Sequence, residues 1–290
     1  MRQPGHPGDA ACGIKRAIRS EFVERCANGE EIGELGQAAE KVEEVVLRAS
    51  CAVGPWQADG QVGTEAHRAL KRVLDGEGVR VSDIELVQLK PAIDISSLAG
   101  CIEAGADLAA TAIIASGDDP DRSRLTARFA ELCQLAASFG LRVDLEFMRW
   151  RAIGNLAQAA AVIRDAGQTN GSILVDALHL ARSGGRAGDL IPLPDHWLRA
   201  AQLCDAVAEA PATDAAIIAE ARAGRLPPGD GALPLGALLE ALPTDAAPSV
   251  EMPLPALDAR ERIATAFNAT RNLLEGQARG ARRRDCHGWA

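Results

Sequence analysis

Oxygen-bearing side chains recur at the ends of apolar runs along this chain. LEFM carries Glu146. ILVDALH carries Asp176, with His179 three residues later. AAQLCD carries Gln202 and then Asp205, and SVEMP carries Glu251. A charge buried without a partner is very costly, so such groups are paired with opposite charge or bound to a metal. Each residue alone has a plain structural reading. A strand-end acid caps the next helix or meets an arginine, a strand glutamine bonds to backbone, and a lone histidine is hydrogen-bonded in place. Taken together on successive runs, they point to one shared site. Glu146, Asp176 and Glu251 with the amide of Gln202 form a hard, oxygen-rich set suited to Mg²⁺ or Mn²⁺, with Co²⁺ or Zn²⁺ as further candidates.

The elements that must position these residues alternate along the chain. Apolar runs fall at 43–49, 79–89, 107–116, 141–148, 171–180, 199–207 and 248–253, most rich in Val, Ile and Leu and bounded by Gly, Pro or Asp. Such runs read as buried parallel strands. Amphipathic segments lie between them. In PDRSRLTARFAELCQLAASFG, Leu125, Phe129, Leu132 and Ala136 share one helical face, Asp119 is the expected N-cap, and Gly140 marks the stop. Repeating βα units predict a parallel sheet with right-handed crossovers. CGIKRAIRS (12–20) is the candidate for an eighth strand, interrupted by Lys15, Arg16 and Arg19. Eight strands close a (β/α)₈ barrel whose active site gathers at the C-terminal strand ends. No Gly/Pro/Ser-rich linker divides the body. The expected organisation is therefore an atypical segment at 1–40, one barrel domain at 41–275 and a flexible basic tail at 276–290.

Composition excludes several classes. The 290 residues carry 31 Lys plus Arg against 40 Asp plus Glu, a net charge of −9 that disfavours nucleic acid as a partner. No apolar run approaches a membrane span, and the first residues lack the apolar core of a secretory signal. The seven cysteines form no C-x-x-C pair, and several sit in apolar segments, so reduced thiols and a cytoplasmic location are expected.

The stretch from about 79 to 256 resembles the sugar phosphate isomerase/epimerase family, the xylose-isomerase-like TIM barrels. The resemblance is carried by LEFMRW, GSILVDALHLARSGG, AAQLCDA, RAGRLPPGDGALPL and SVEMP, in that order. It implies a barrel with one catalytic divalent metal on Glu146, Asp176, Gln202 and Glu251. His179 falls on a substrate-contacting position. Arg225 resembles the arginine that holds substrate oxygens, with Arg222 as the other candidate. Many of the family's epimerases have histidine where this chain has Gln202. Glutamine there is similar to the pattern of 3-dehydroshikimate dehydratases. Those relatives grip the substrate carboxylate with a third-strand arginine, where this chain offers Gln88 and Lys90.

The resemblance implies a metal-dependent isomerase or epimerase that moves a proton beside the carbonyl of a keto-sugar or keto-polyol, with Glu146 and Glu251 exchanging the proton and His179 and Arg225 orienting the substrate. The alternative is a dehydratase of the 3-dehydroshikimate or inosose type, using the same site with His179 as acid or base. A non-catalytic barrel that binds a small molecule is a third reading, motivated by the unusual first 40 residues. A small-molecule substrate and a homodimer are the expected partners.

Overall fold

A computed structural model of the protein describes residues 19–20, 46–50 and 62–287. Its strands are β1 (Arg19–Ser20), β2 (Val46–Ser50), β3 (Arg80–Leu89), β4 (Ala112–Gly117), β5 (Arg142–Glu146), β6 (Gly171–Asp176), β7 (Ala200–Leu203) and β8 (Ala247–Val250). The helices are α1 (Glu65–Glu77), α2 (Ala99–Asp107), α3 (Arg122–Ala137), α4 (Leu156–Ala166), α5 (Ala177–Arg182), α6 (Asp214–Ala219), α7 (Leu235–Ala241) and α8 (Ala259–His287). All paired strands run parallel, in the order β1-β8-β7-β6-β5-β4-β3-β2. The two end strands, β1 and β2, lie in contact, so the sheet curls back upon itself. The architecture is a single-domain TIM barrel with alternating helices. Most of the 12–20 candidate strand falls outside the described residues; Arg19 and Ser20 pair with Ser249 and Val250.

Strand alternation explains how one sheet buries two faces. Ile113, Ile173, Val175, Ala201 and Leu203 join the large core between strands and helices, which also holds Leu125, Phe129, Leu132 and Ala136 of α3. Their chain neighbours Ile114, Leu174 and Ala200 form a separate cluster with Leu86, on the opposite face. Successive side chains of a strand point to opposite sides, so this second cluster lines the barrel interior. Asp176 lies two residues beyond Leu174, and Gln202 two beyond Ala200. Both therefore share the interior face, one level nearer the strand ends.

Several elements differ from expectation. The apolar run at 171–180 is a strand only to Asp176, after which the chain turns into α5. Helix α3 is capped by Asp121, whose side chain accepts from Arg124 N at 3.0 Å, and not by Asp119. Asp119 is instead buried and gripped by the Arg124 guanidinium at 2.5 and 2.6 Å, because Pro120 adds a turn before the helix begins. Helix α8 continues through 276–287, within the stretch read as a tail. Cys133 and Cys204 are free and buried, but Cys101 is disulfide-bonded, a correction to the expectation of reduced thiols throughout. Sequence spacing gives no information on which cysteines the fold brings together. No helix among the described residues is long and apolar enough to cross a membrane.

Candidate active site

The site assembles at the C-terminal ends of β5, β6 and β7. Glu146 is the last residue of β5, in register with Leu174. Asp176 ends β6, level with Gln202 on β7, which is itself level with Ser249. Glu251 follows β8 directly, its backbone N–H donating to Leu203 O at 3.0 Å. Asp176 is also the N-cap of α5, accepting from His179 N at 2.7 Å through Oδ1. This is the physical meaning of the D-x-x-H spacing. Aspartate is favoured where a strand turns into a helix, and its cap places the third residue one turn in. His179 Nε2 thereby lies 3.5 Å from Glu146 Oε1. One ligand atom each from Glu146, Asp176 and His179 falls within 4.8 Å of the others, and all three side chains are buried.

Arg225 ties the group together. It follows the π-helical turn Glu220–Gly224, and its Nε donates to Ala221 O at 3.0 Å. Nη1 reaches Asp176 Oδ2 at 2.5 Å and Cys204 Sγ at 3.2 Å. Nη2 lies 3.0 Å from Glu251 Oε2 and 3.5 Å from His179 Nε2. Arg222, the other candidate, is exposed. The loop bearing Arg225 is held by Asp205, whose part the sequence did not disclose. Its backbone pairs with Leu226 in both directions at 2.8 Å, and its buried carboxylate accepts from Ala206 N, Gly229 N and Leu233 N at 2.8–3.0 Å. A side chain at Gly231 would collide with that carboxylate, which accounts for the glycine. The signal was the R-L-P-P-G-D-G turn itself, whose free N–H groups require a nearby acceptor.

The electrostatics follow from burial and the Arg225 charge. Burial alone would raise the Asp176 carboxyl, but Arg225, with help from His179 and two hydrogen bonds, holds it at about 2. Burial opposes the Arg225 charge as well, yet Asp176 and Glu251 keep that guanidinium well above its ordinary value. Burial, seconded by Arg225 and opposed by Asp176, depresses His179 to about 4. The imidazole is therefore neutral near pH 7, and its approach to Glu146 is a polar contact rather than an ion pair. His179 Nδ1 is buried and has no partner among the described residues. Burial pushes the Cys204 thiol up to about 12, so it stays protonated. Trp150 packs edge-on against His179, ring centroids 5.1 Å apart. It therefore walls the site.

The structure thus brings Glu146, Asp176, His179 and Arg225 into direct contact and places Gln202 level with Asp176. Glu251 reaches the group through Arg225. Gln88, on β3, is in register with Ser116 and so with Glu146, whereas Lys90 beyond it is exposed.

Comparison with known proteins places the chain in a family. Residues 51–272 match the model of the xylose isomerase-like TIM barrel family. No curated protein matches the sequence. Among solved structures, an IOLI protein with a zinc atom bound superposes with a TM-score of 0.70 at 15% identity, covering 90% of this chain and 99% of that one. A probable 3-DHS dehydratase, AsbF, from Bacillus anthracis gives 0.65 at 14% identity, covering 88% and 98%. A D-allulose 3-epimerase from Methylomonas sp. gives 0.62 at 16% identity, covering 88% and 97%. At these identities the likeness is one of fold. With more than half its length matched, the chain belongs to the xylose isomerase-like TIM barrel family.

Proposed function

We propose that the protein is a divalent-metal-dependent isomerase or epimerase acting beside the carbonyl of a keto-sugar or keto-polyol. The observation that carries this reading is the buried meeting of Glu146, Asp176 and His179 at the strand ends, with ligand atoms within 4.8 Å of one another. The donor chemistry fits a divalent cation: two carboxylates, a neutral imidazole with an unpartnered buried nitrogen, and the Gln202 amide one strand away. Glu146, Asp176, Gln202 and Glu251 would hold the ion, with His179 beside it. Mg²⁺ or Mn²⁺ suits the oxygen-rich set, and the zinc in the IOLI structure keeps zinc and cobalt as candidates. The ion would supply Lewis-acid polarisation of a substrate oxygen.

The protein's own groups account for the rest. Glu146 and Glu251 approach from different strands, one in contact with a neutral imidazole and the other with a guanidinium. Two carboxylates in such unlike settings differ in proton affinity, so one removes a proton from the carbon beside the carbonyl while the other returns one. His179, neutral near pH 7, offers a hydrogen bond to a substrate oxygen. Arg225 stays charged and fixed by its neighbours, suited to holding a second oxygen. Trp150 and the apolar cluster below the site exclude water.

A second reading, elimination of water by the same carboxylates with His179 as acid or base, draws on Gln202, the β7 amide shared with the dehydratase pattern. One experiment tests both. Protein loaded with Mn²⁺ or Mg²⁺ is incubated in D₂O with ketoses, inososes and 3-dehydroshikimate and followed by NMR. Deuterium entering at the carbon next to the carbonyl, and stopping on chelation, is the expected result. Loss of water without exchange would move the assignment to the lyase, and neither event on any substrate would sink both.

A further inference from the structure

Beside the cluster, α5 borders a second cavity that the proposed reaction leaves unused. Arg149, Arg151 and Arg182 line a space of about 560 Å³ with Gly154, Asn155 and Gln158. Each guanidinium is paired with a carboxylate that is not among the lining residues. Arg149 Nε lies 3.4 Å from Asp214 Oδ1, and Arg151 Nη1 lies 2.9 Å from both oxygens of Asp118. Arg182 clamps Glu220 through Nε and Nη2 at 2.8 and 2.7 Å and donates to Val207 O at 2.8 Å. The remaining nitrogens have no protein partner among the described residues: Nη1 and Nη2 of Arg149, Nε and Nη2 of Arg151, and Nη1 of Arg182. Arg151 Nε is buried in that state. The Arg182 side chain is only 3% exposed, so its unbonded Nη1 is held in place rather than loose in solvent.

A buried donor without an acceptor costs on the order of 1–3 kcal/mol, so Arg151 Nε asks for one, while the other four nitrogens keep N–H groups free for a ligand. Two hydrogen-bonded guanidiniums, Arg151 and Arg182, and a partly exposed third, Arg149, around one space match the oxygens of a phosphate or carboxylate, which arginine binds through paired N–H groups. The first turn of α4 forms part of the wall, where Asn155 accepts from Gln158 N at 3.0 Å, and the positive end of that helix adds to the attraction. We propose that this cavity is an anion subsite for a phosphate or carboxylate group. It shares α5 with the carboxylate cluster. His179 faces the cluster and Arg182 the cavity, about one helical turn apart. Trp150, between Arg149 and Arg151, packs on His179. The subsite is therefore placed either for the anionic tail of a substrate or for a separate small anion.

The test is calorimetric titration of inorganic phosphate into chelator-treated full-length protein at constant ionic strength. Because metal and carbonyl substrate are both absent, its outcome is independent of the proposed reaction. Saturable binding at one site is expected, weakened at least tenfold in the double variant R149Q/R151Q, whose two ion pairs are partly exposed. R222Q removes a charge elsewhere and leaves binding unchanged. Should the double variant fail to melt cooperatively, R149Q alone must weaken binding about threefold. No saturable binding by the wild type, or undiminished binding in a folded R149Q/R151Q or R149Q, overturns the subsite. A phosphate ester of a ketose binding more tightly than phosphate itself assigns the anion to a substrate tail; equal affinities assign a free anion.

Discussion

Two acids on one face of β5, two residues apart, meet opposite fates. Asp144 is almost fully buried, and it is closed off by neighbours. Both its oxygens lie 3.0 Å from Arg142 Nε, and Ser172 Oγ donates to Oδ1. Glu146, nearer the strand end, meets His179, with Asp176 within 4.8 Å of both. There a buried imidazole nitrogen stays unpartnered and two pKa values move far from their ordinary ranges. The lower carboxylate is satisfied within the strands that carry it. The upper group is held by a loop and a helix cap, and it keeps unused bonding capacity. Unsatisfied buried atoms and displaced acidities are what a functional site requires, and the proposed site lies where a barrel's working end is expected.

That contrast can be broken by mutation. The largest effect is expected from Glu146→Gln, which should slow metal-dependent exchange by about 10²–10⁴-fold, the usual worth of a general acid or base, while the protein still melts cooperatively. Near-normal exchange rates would remove Glu146 from the chemistry. Next in size is Arg225→Gln. Leaving Asp176 and Glu251 without their cation should cost on the order of 3–5 kcal/mol in urea unfolding, whereas Arg222→Gln should stay within about 0.5 kcal/mol. Equal effects of the two would contradict the assignment of Arg225. Asp144→Ala should lower stability by about 1–3 kcal/mol through the stranded Ser172 and Arg142 donors, with exchange per folded molecule intact. A large loss of turnover there would erase the distinction between the two layers.

The same contrast can be sharpened without removing a carboxylate, through the pH dependence. His179 titrates near 4 when folded against 6.5 for the free side chain, so between those values the unfolded chain binds the extra proton. Stability should therefore fall as pH drops from about 6.5 to about 4, and His179→Gln should flatten that part of the curve. The Asp176 carboxyl, lowered from 3.8 to about 2, adds a further loss below pH 3.8 as its pair with Arg225 is protonated away. Chemical denaturation at a series of pH values reads both. A wild-type minus His179→Gln difference that does not change across pH 6.5 to 4 would rule out the buried neutral imidazole.

Much of this was legible beforehand because barrel strands repeat a simple pattern. Apolar runs at 141–148, 171–180 and 199–207 marked three strands that carry Glu146, Asp176 and Gln202 near their ends, and the plain reading of a strand-end acid as a helix cap holds for Asp176. The helix start at Asp121 was missed because Asp119 and Asp121 are both good caps, and only the path through Pro120 separates them. Asp205 was noticed as a strand-end acid. Its grip on the Arg225 loop depends on N–H groups 24 and 28 residues away, which no local pattern reports. The three arginines of the cavity come from the loop after β5 and the end of α5, and so escaped notice for the same reason.

The sequence by itself determined the alternation of strands and helices, the family and the identity of the acids at the strand ends, because periodicity, capping and burial act over a few residues. Tertiary structure decided which of those acids touch, which arginine reaches them and how far their acidities move. Those outcomes depend on distances across the barrel, where a register step of two residues raises a side chain from a closed ion pair to an open site.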